Sequence, residues 1–116
     1  MGSEQQHREK AESNARFYQA IESLGFPDWS ATAIFYQAVH LAELVLARRG
    51  VHTRSHQERR RAVRTMIPRV WNDYLLLDNY SRWARYGFKQ IKSDRDIPRL
   101  LAALQVIRRE AGVASS

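Results

Sequence analysis

The segment from Ile34 to Ala47 constrains the fold most, because it has more apolar surface than one helix face can hold. At 100° per residue, its apolar side chains form one broad face: Ile34, Phe35, Ala38, Val39, Leu41, Ala42, Val45 and Leu46. A second stripe of mixed polarity lies on the other side and comprises Tyr36, His40, Glu43 and Ala47. Two stripes on one helix are typical of the centre of a helical bundle or of a partner interface.

The second stripe has two interpretations. We favour a dimer seam or a polar layer with satisfied hydrogen bonds over a ligand site. His40 has Glu43 one turn on, but no second Glu-x-x-His pair completes a carboxylate-bridged metal site, and no His-Glu-x-x-His motif is present. The sequence therefore predicts no metal site and no cofactor.

Turn and capping residues divide the chain into helices. A first helix is predicted over residues 4–24, and a second, capped by Asp28 or Ser30, runs to Arg49. A third starts at the capping-box pair Ser55 and Glu58, is broken at Pro68 and continues to residue 86. Asp96 is predicted to cap a last helix. We expect an all-α fold, a four-helix antiparallel bundle with a broken third helix, in one domain over residues 1–116, with 1–4 and 113–116 disordered.

The absence of cysteine excludes a disulfide framework and a thiolate zinc site, and it fits a reducing cytoplasm. No apolar run approaches the roughly 20 residues that span a bilayer. The first ten residues lack a hydrophobic signal region. These observations predict a cytoplasmic protein without a membrane partner.

The net charge of +7 is concentrated in one part of the chain. Residues 48–69 contain eight arginines and one acid, Glu58, whereas the rest has eleven basic and eleven acidic residues. Such a patch attracts phosphates, an acidic protein or anionic lipid, and the guanidinium fork favours phosphate or carboxylate. A solvated helix without a partner is the alternative. The predicted nucleic-acid-binding residues are Arg48, Arg49, Arg54, His56, Arg59, Arg60, Arg61 and Arg64.

The sequence lacks several common catalytic motifs. A glycine-rich phosphate loop, a nucleophile elbow and paired acids are all missing. Metal-independent RNA cleavage needs a base, an acid and a cation, and Arg49 with His56 is the candidate pair. We favour the simpler interpretation, in which His56 follows the capping Ser55, bonds to neighbouring backbone and packs on the bundle. No catalytic residue is assigned.

The stretch IFYQAVHLAELVLARRGVHTRSHQERR, residues 34–60, resembles the HEPN domain (higher eukaryotes and prokaryotes nucleotide-binding) in a divergent prokaryotic form. The matching positions are Phe35-Tyr36, His40 to Glu43, Gly50 and Ser55-His56. Late in the bundle the family often has Arg followed by Ala-Asp-Tyr. Here Ala84 and Tyr86 match, Arg85 stands at the Asp position, and the Arg is replaced by Ser81 or shifted to Arg82. The resemblance covers about residues 30–90.

The resemblance implies a helical bundle that commonly dimerises and acts in RNA metabolism, defence or toxin–antitoxin systems, often beside a nucleotidyltransferase. RNase-active members have Arg and then, after four to six residues, His late in the bundle, whereas this chain has no His after His56. We therefore expect a non-catalytic homodimer that binds RNA or a nucleotide-bearing partner. The alternatives are an endoribonuclease using His56 with Arg49 or Arg54, and an adaptor subunit of a defence complex.

Overall fold

The computed structural model describes residues 3–87 and 89–113, and these residues form five α-helices and no strand. The helices are α1 (Glu4–Ile21), α2 (Pro27–Arg48), α3 (His56–Met66), α4 (Trp71–Tyr86) and α5 (Ser93–Ala111). One 3-10 turn, Glu22–Leu24, follows α1, and a second, Pro68–Val70, joins α3 to α4. The all-α prediction is confirmed for this part of the chain.

The central element is α2, which packs against α1, α3, α4 and α5. Every residue of the predicted apolar face, from Ile34 to Leu46, is buried. Leu44, which lies on the opposite side, is buried as well, because neighbouring helices cover α2 on more than one face. The broad apolar surface of this segment therefore places it at the centre of the core.

The expectation that no apolar run approaches a membrane span is wrong for α2 by length and composition alone. This helix has 22 residues and is apolar enough to cross a bilayer. However, 78% of its apolar window is buried inside the fold, as in the core helix of a folded domain. The apolar side chains of α2 thus pack against other helices of the same chain.

The predicted third helix is in fact two helices, so the described chain has five instead of four. Ile67 leaves the helical region, with φ −130° and ψ 58°, and Pro68 then begins the 3-10 turn. The cause is the proline ring, which disfavours a helical conformation at the preceding residue and removes a backbone N–H donor. The break separates α3 from α4 and allows the two helices to lie side by side.

Two predicted helix caps are wrong. Phe26 occupies the N-cap position of α2 without a side-chain hydrogen bond, and Asp28 lies in the first turn. Helix α5 begins at Ser93, so Asp96 lies inside it and is only 1% exposed. Its carboxylate accepts hydrogen bonds from the Lys92 backbone N–H (2.9 Å) and the Tyr80 hydroxyl (3.0 Å). Asp96 therefore joins α4 to the start of α5.

The disorder of residues 1–4 stays a prediction; of these residues the structure describes Ser3 and Glu4, at the start of α1. The Ser3 Oγ accepts from the Gln6 N–H (3.2 Å), and the Gln6 side chain accepts from the Ser3 N–H (2.8 Å). This reciprocal capping box satisfies two free N–H groups at the start of α1. Val113 is described and half-buried, while Met1, Gly2 and residues 114–116 lie outside the described residues.

The predicted cap of α3 is confirmed, because the Ser55 Oγ accepts from the Glu58 N–H at 3.1 Å. Replacing Ser55 with alanine should lower the free energy of unfolding by about 1 kcal/mol, since that N–H loses its acceptor. Urea denaturation measures the change. Ser55→Asp, which keeps an acceptor oxygen, should remain near the wild-type value, and equal losses in both variants would contradict the capping role.

Candidate functional site: the basic face of α3 and α4

The arginines of residues 48–69 do not form one open patch, because the chain pairs half of them with its own acids. The pairs are Arg48–Glu4 (2.6 Å), Arg59–Glu43 (2.7 Å), Arg60–Asp78 (3.2 Å) and Arg69–Glu110 (3.2 Å). Arg48 and Arg69 are tied to α1 and α5, away from the start of α3. The set of nucleic-acid-binding residues predicted from this segment stays a prediction, and two of its members, Arg48 and Arg59, are paired with acids of α1 and α2.

Arg49 and His56 are not brought together as a catalytic pair. The Arg49 Nη1 donates to the Met66 carbonyl at the end of α3, whereas His56 is the first residue of that helix. Ten residues of helix separate these positions by about 15 Å. The sequence spacing of Arg49 and His56 was that of the Arg and His in RNase-active HEPN proteins. The direction of α3 nevertheless places the two side chains at opposite ends of this helix.

Glu43 belongs to a buried polar layer between α2, α3 and α4. It is 4% exposed, and its Oε1 accepts from the Arg59 Nε and from the Thr53 hydroxyl. The Tyr74 hydroxyl, whose pKa burial raises, is also buried there and interacts with the Arg59 charge. This part of the second stripe matches the polar-layer interpretation, because Glu43 is inside the protein.

His40, also in the second stripe, packs against His7 of α1. Their Nδ1 atoms are 3.1 Å apart, so one ring donates from Nδ1 to the unprotonated Nδ1 of the other. Burial, followed by the charges of His7 and Arg59, lowers the pKa of His40 to about 4. Burial also lowers the pKa of His7. Tyr36 and Ala47 are half-exposed, and a dimer seam on this stripe stays a prediction.

A cationic surface remains where α3 and α4 lie side by side. His56, Arg60 and Arg64 follow one another at four-residue spacing on α3, and Asp78, Arg82 and Arg85 form a matching row on α4. We call the cationic side chains of this region the α3–α4 basic face, which consists of His56, Arg60, Arg61, Arg64, Arg82 and Arg85. Two neighbouring helices therefore build the site, one of them outside the Arg-rich segment.

Asp78 is a buried acid beneath this face, and it contacts two of its arginines. Its carboxylate is 2% exposed, accepts from the Arg60 Nη1 (3.2 Å) and lies 3.8 Å from the Arg82 Nη2. The Arg85 Nη1 donates to the Ser81 Oγ (2.9 Å). Arg61 and Arg64 are exposed and form no ion pair with any residue in 3–87 or 89–113. One buried carboxylate thus positions two guanidinium groups and leaves the surface positively charged.

His56, the first residue of α3, is the histidine of the basic face. Its ring stacks on Phe35 with centroids 6.2 Å apart, and its Nδ1 is 3.1 Å from the Arg59 Nη1. Burial and the charge of Arg59 lower the pKa of His56, with smaller effects from Asp78, Arg85 and Arg60. A guanidinium only donates, so Nδ1 is the acceptor and the proton of the neutral ring is on Nε2. His56 therefore presents an N–H donor to a ligand.

The late motif residues lie together at the end of α4. Arg82 and Arg85 belong to the basic face, and Tyr86, which is 64% exposed, has its ring centroid 5.9 Å from the Arg85 Cζ. The sequence reasoning missed Asp78 and Ser81 as positioning residues. The signal was the recurrence of Asp78, Ser81, Arg82 and Arg85 at three- and four-residue spacing, which puts them on one side of a helix.

Metal chemistry has no support in the part of the chain that the structure describes. No group of three histidine or acidic side chains among these residues is arranged to hold a metal ion. The His7–His40 pair provides two nitrogens, but they face each other, and Glu43 is already bound by Arg59 and Thr53.

Fold and site together define a small all-helical protein with a cationic surface built by two adjacent helices. Comparison with family models, curated proteins and solved structures finds no match to the chain. The HEPN resemblance therefore stays a prediction that depends on the residues quoted above.

Proposed function

We propose that this protein binds RNA without cleaving it, through the α3–α4 basic face. The observation that carries the proposal is the convergence of Arg60 from α3 and Arg82 from α4 on a single buried carboxylate, Asp78, with Arg85 held by Ser81 on the same helix as Arg82. Guanidinium groups fixed in this way can each give two parallel hydrogen bonds to a phosphate. Positioning them in advance reduces the entropy lost when the ligand binds.

The state of His56 supports binding over cleavage. General base catalysis needs an unprotonated ring nitrogen within reach of the 2′-OH. The Nδ1 of His56 is occupied by Arg59, and Nε2 carries the proton, so the ring donates a hydrogen bond and cannot take one up at that atom. Arg49, the other catalytic candidate, is bound to the Met66 carbonyl at the far end of α3.

The resemblance of residues 30–90 to HEPN proteins extends this proposal to a biological setting. By that analogy the chain acts as a homodimer in the cytoplasm, in a defence or toxin–antitoxin system. A nucleotidyltransferase or a subunit of a defence complex is the protein partner that the analogy implies. Binding to a protein alone, as an adaptor, is the competing function, and it predicts no RNA affinity.

The Arg61→Gln/Arg64→Gln double variant should bind RNA roughly ten-fold more weakly than the wild type, because two phosphate contacts are lost. The slope of log Kd against log salt should decrease by about one to two. Fluorescence anisotropy with a labelled RNA, measured over a salt series, determines both quantities.

Arg16→Gln/Arg109→Gln removes the same charge from α1 and α5 and is the matched control. An equal loss in this control would assign binding to net charge and contradict a defined face. Wild-type affinity that does not change with salt would contradict phosphate contacts on this face. RNA recovered in EDTA should be intact; cleavage by the wild type that His56→Ala abolishes would overturn the non-catalytic assignment.

A further inference from the structure

A groove next to the basic face is lined by aromatic side chains. It has a volume of about 500 Å³ and lies between the start of α2 and the end of α4. Its lining residues are Asp28, Trp29, Thr32, Tyr36, Ala84 and Arg85. Arg85 is in both the groove and the basic face, so the two surfaces are continuous.

Trp29 is the unusual residue of this groove. It is 61% exposed, although tryptophan is highly buried on average. Phe26 and Tyr86 are also more than half exposed. Exposed aromatic side chains beside a cationic surface are typical of an interaction site, and the core does not account for them. Tyr36, which is half-buried and contacts Phe35, provides a second aromatic wall.

The charges of the groove determine which part of a nucleotide fits at each end. The Arg85 guanidinium lies at one side, next to His56 and the rest of the basic face, and attracts phosphate. Asp28 lies beside Trp29 and repels phosphate, but its carboxylate accepts hydrogen bonds from base amino groups. A strand whose phosphates lie on the basic face therefore directs a base toward Trp29 and Tyr36.

We propose that the groove of Trp29 and Tyr36 is a base-stacking subsite, and that the RNA ligand of the basic face is consequently single-stranded. An unpaired base has a free π-face that can stack on an aromatic side chain. A base inside a duplex is already stacked and paired, so it cannot enter the groove without melting. This inference depends on the proposed RNA-binding function and adds the class of RNA that the site accepts.

Trp29→Ala should weaken binding of a single-stranded RNA by about ten-fold, the effect of losing one stacked base. Binding of an abasic oligonucleotide with the same number of phosphates should not change. Trp29→Phe, which keeps an aromatic face, should lose much less than Trp29→Ala. Anisotropy titrations measure the three affinities, and circular dichroism confirms that each variant is folded.

The pattern of results separates this inference from the proposed function. If Trp29→Ala binds both oligonucleotides like the wild type while Arg61→Gln/Arg64→Gln does not, the basic face stands and the stacking subsite is wrong. The same result is expected if the groove binds a protein. If the wild type binds neither oligonucleotide, both proposals fail. Equal wild-type affinity for a duplex and a single strand would also overturn the subsite.

Discussion

Replacing Glu43 with glutamine should lower the free energy of unfolding by about 3–5 kcal/mol, the cost of leaving a buried charge without its partner. The Arg59 and Glu43 side chains are 13% and 6% exposed, so water cannot replace the lost carboxylate. Glutamine has almost the same volume as glutamate, and hence no cavity contributes to the loss. Urea denaturation at neutral pH measures the difference.

The double variant Glu43→Leu/Arg59→Met tests whether the instability of Glu43→Gln comes from the unpaired Arg59 charge or from the loss of the ion pair as such. Replacing both members of a buried pair with apolar residues is often neutral or stabilising. We expect this variant to recover most of the stability lost in Glu43→Gln. A double variant as unstable as the single one would show that the Glu43–Arg59 ion pair itself is needed, together with its contacts to Thr53 and Tyr74.

Acidification should destabilise the protein through His40 before most of its carboxylates are protonated. The folded-state pKa of His40 is about 4 and its ordinary value is 6.5, so folding favours the neutral ring. The stability from this group is complete above pH 6.5 and is lost as the pH falls from 6.5 toward 4. After allowance for the partial exposure of the ring, we expect a loss of about 2 kcal/mol.

His40→Gln/His7→Gln should remove most of this pH dependence, leaving the smaller contribution of His56. Unfolding free energies measured at several pH values between about 7 and 4.5 test this, since histidine is the side chain that ordinarily titrates in this range. His52→Gln, which changes an exposed histidine in the connector between α2 and α3, is the control. If the double variant keeps the full loss, the His7–His40 contact is not its origin.

Local patterns predicted the helices because helix formation depends mainly on near neighbours in the chain. The apolar spacing from Ile34 to Leu46 identified the central helix, and Ser55 was correctly predicted to cap α3. Asp96 was assigned wrongly for a physical reason. An aspartate is a good cap when its side chain faces free N–H groups, but here Tyr80 and Arg95 also bind it, and the N-cap of α5 is Lys92, four residues earlier.

The candidate site was harder to predict, because charge density along a chain does not say which cations remain available. Residues 48–69 were identified correctly as the basic segment. Yet Arg59 pairs with Glu43 sixteen positions earlier, and Arg48 pairs with Glu4 forty-four positions earlier. Arg82 and Arg85, which lie outside that segment, contribute to the basic face only because α4 packs beside α3.

The sequence alone determined the helical class, the central place of α2 and the excess of positive charge, since these follow from composition and from periodicity within single segments. Only the tertiary structure decided which arginines are neutralised, that Arg49 and His56 lie at opposite ends of α3, and that Trp29 borders the basic face. These properties depend on contacts between residues far apart in the chain, and such contacts exist only after the helices have packed.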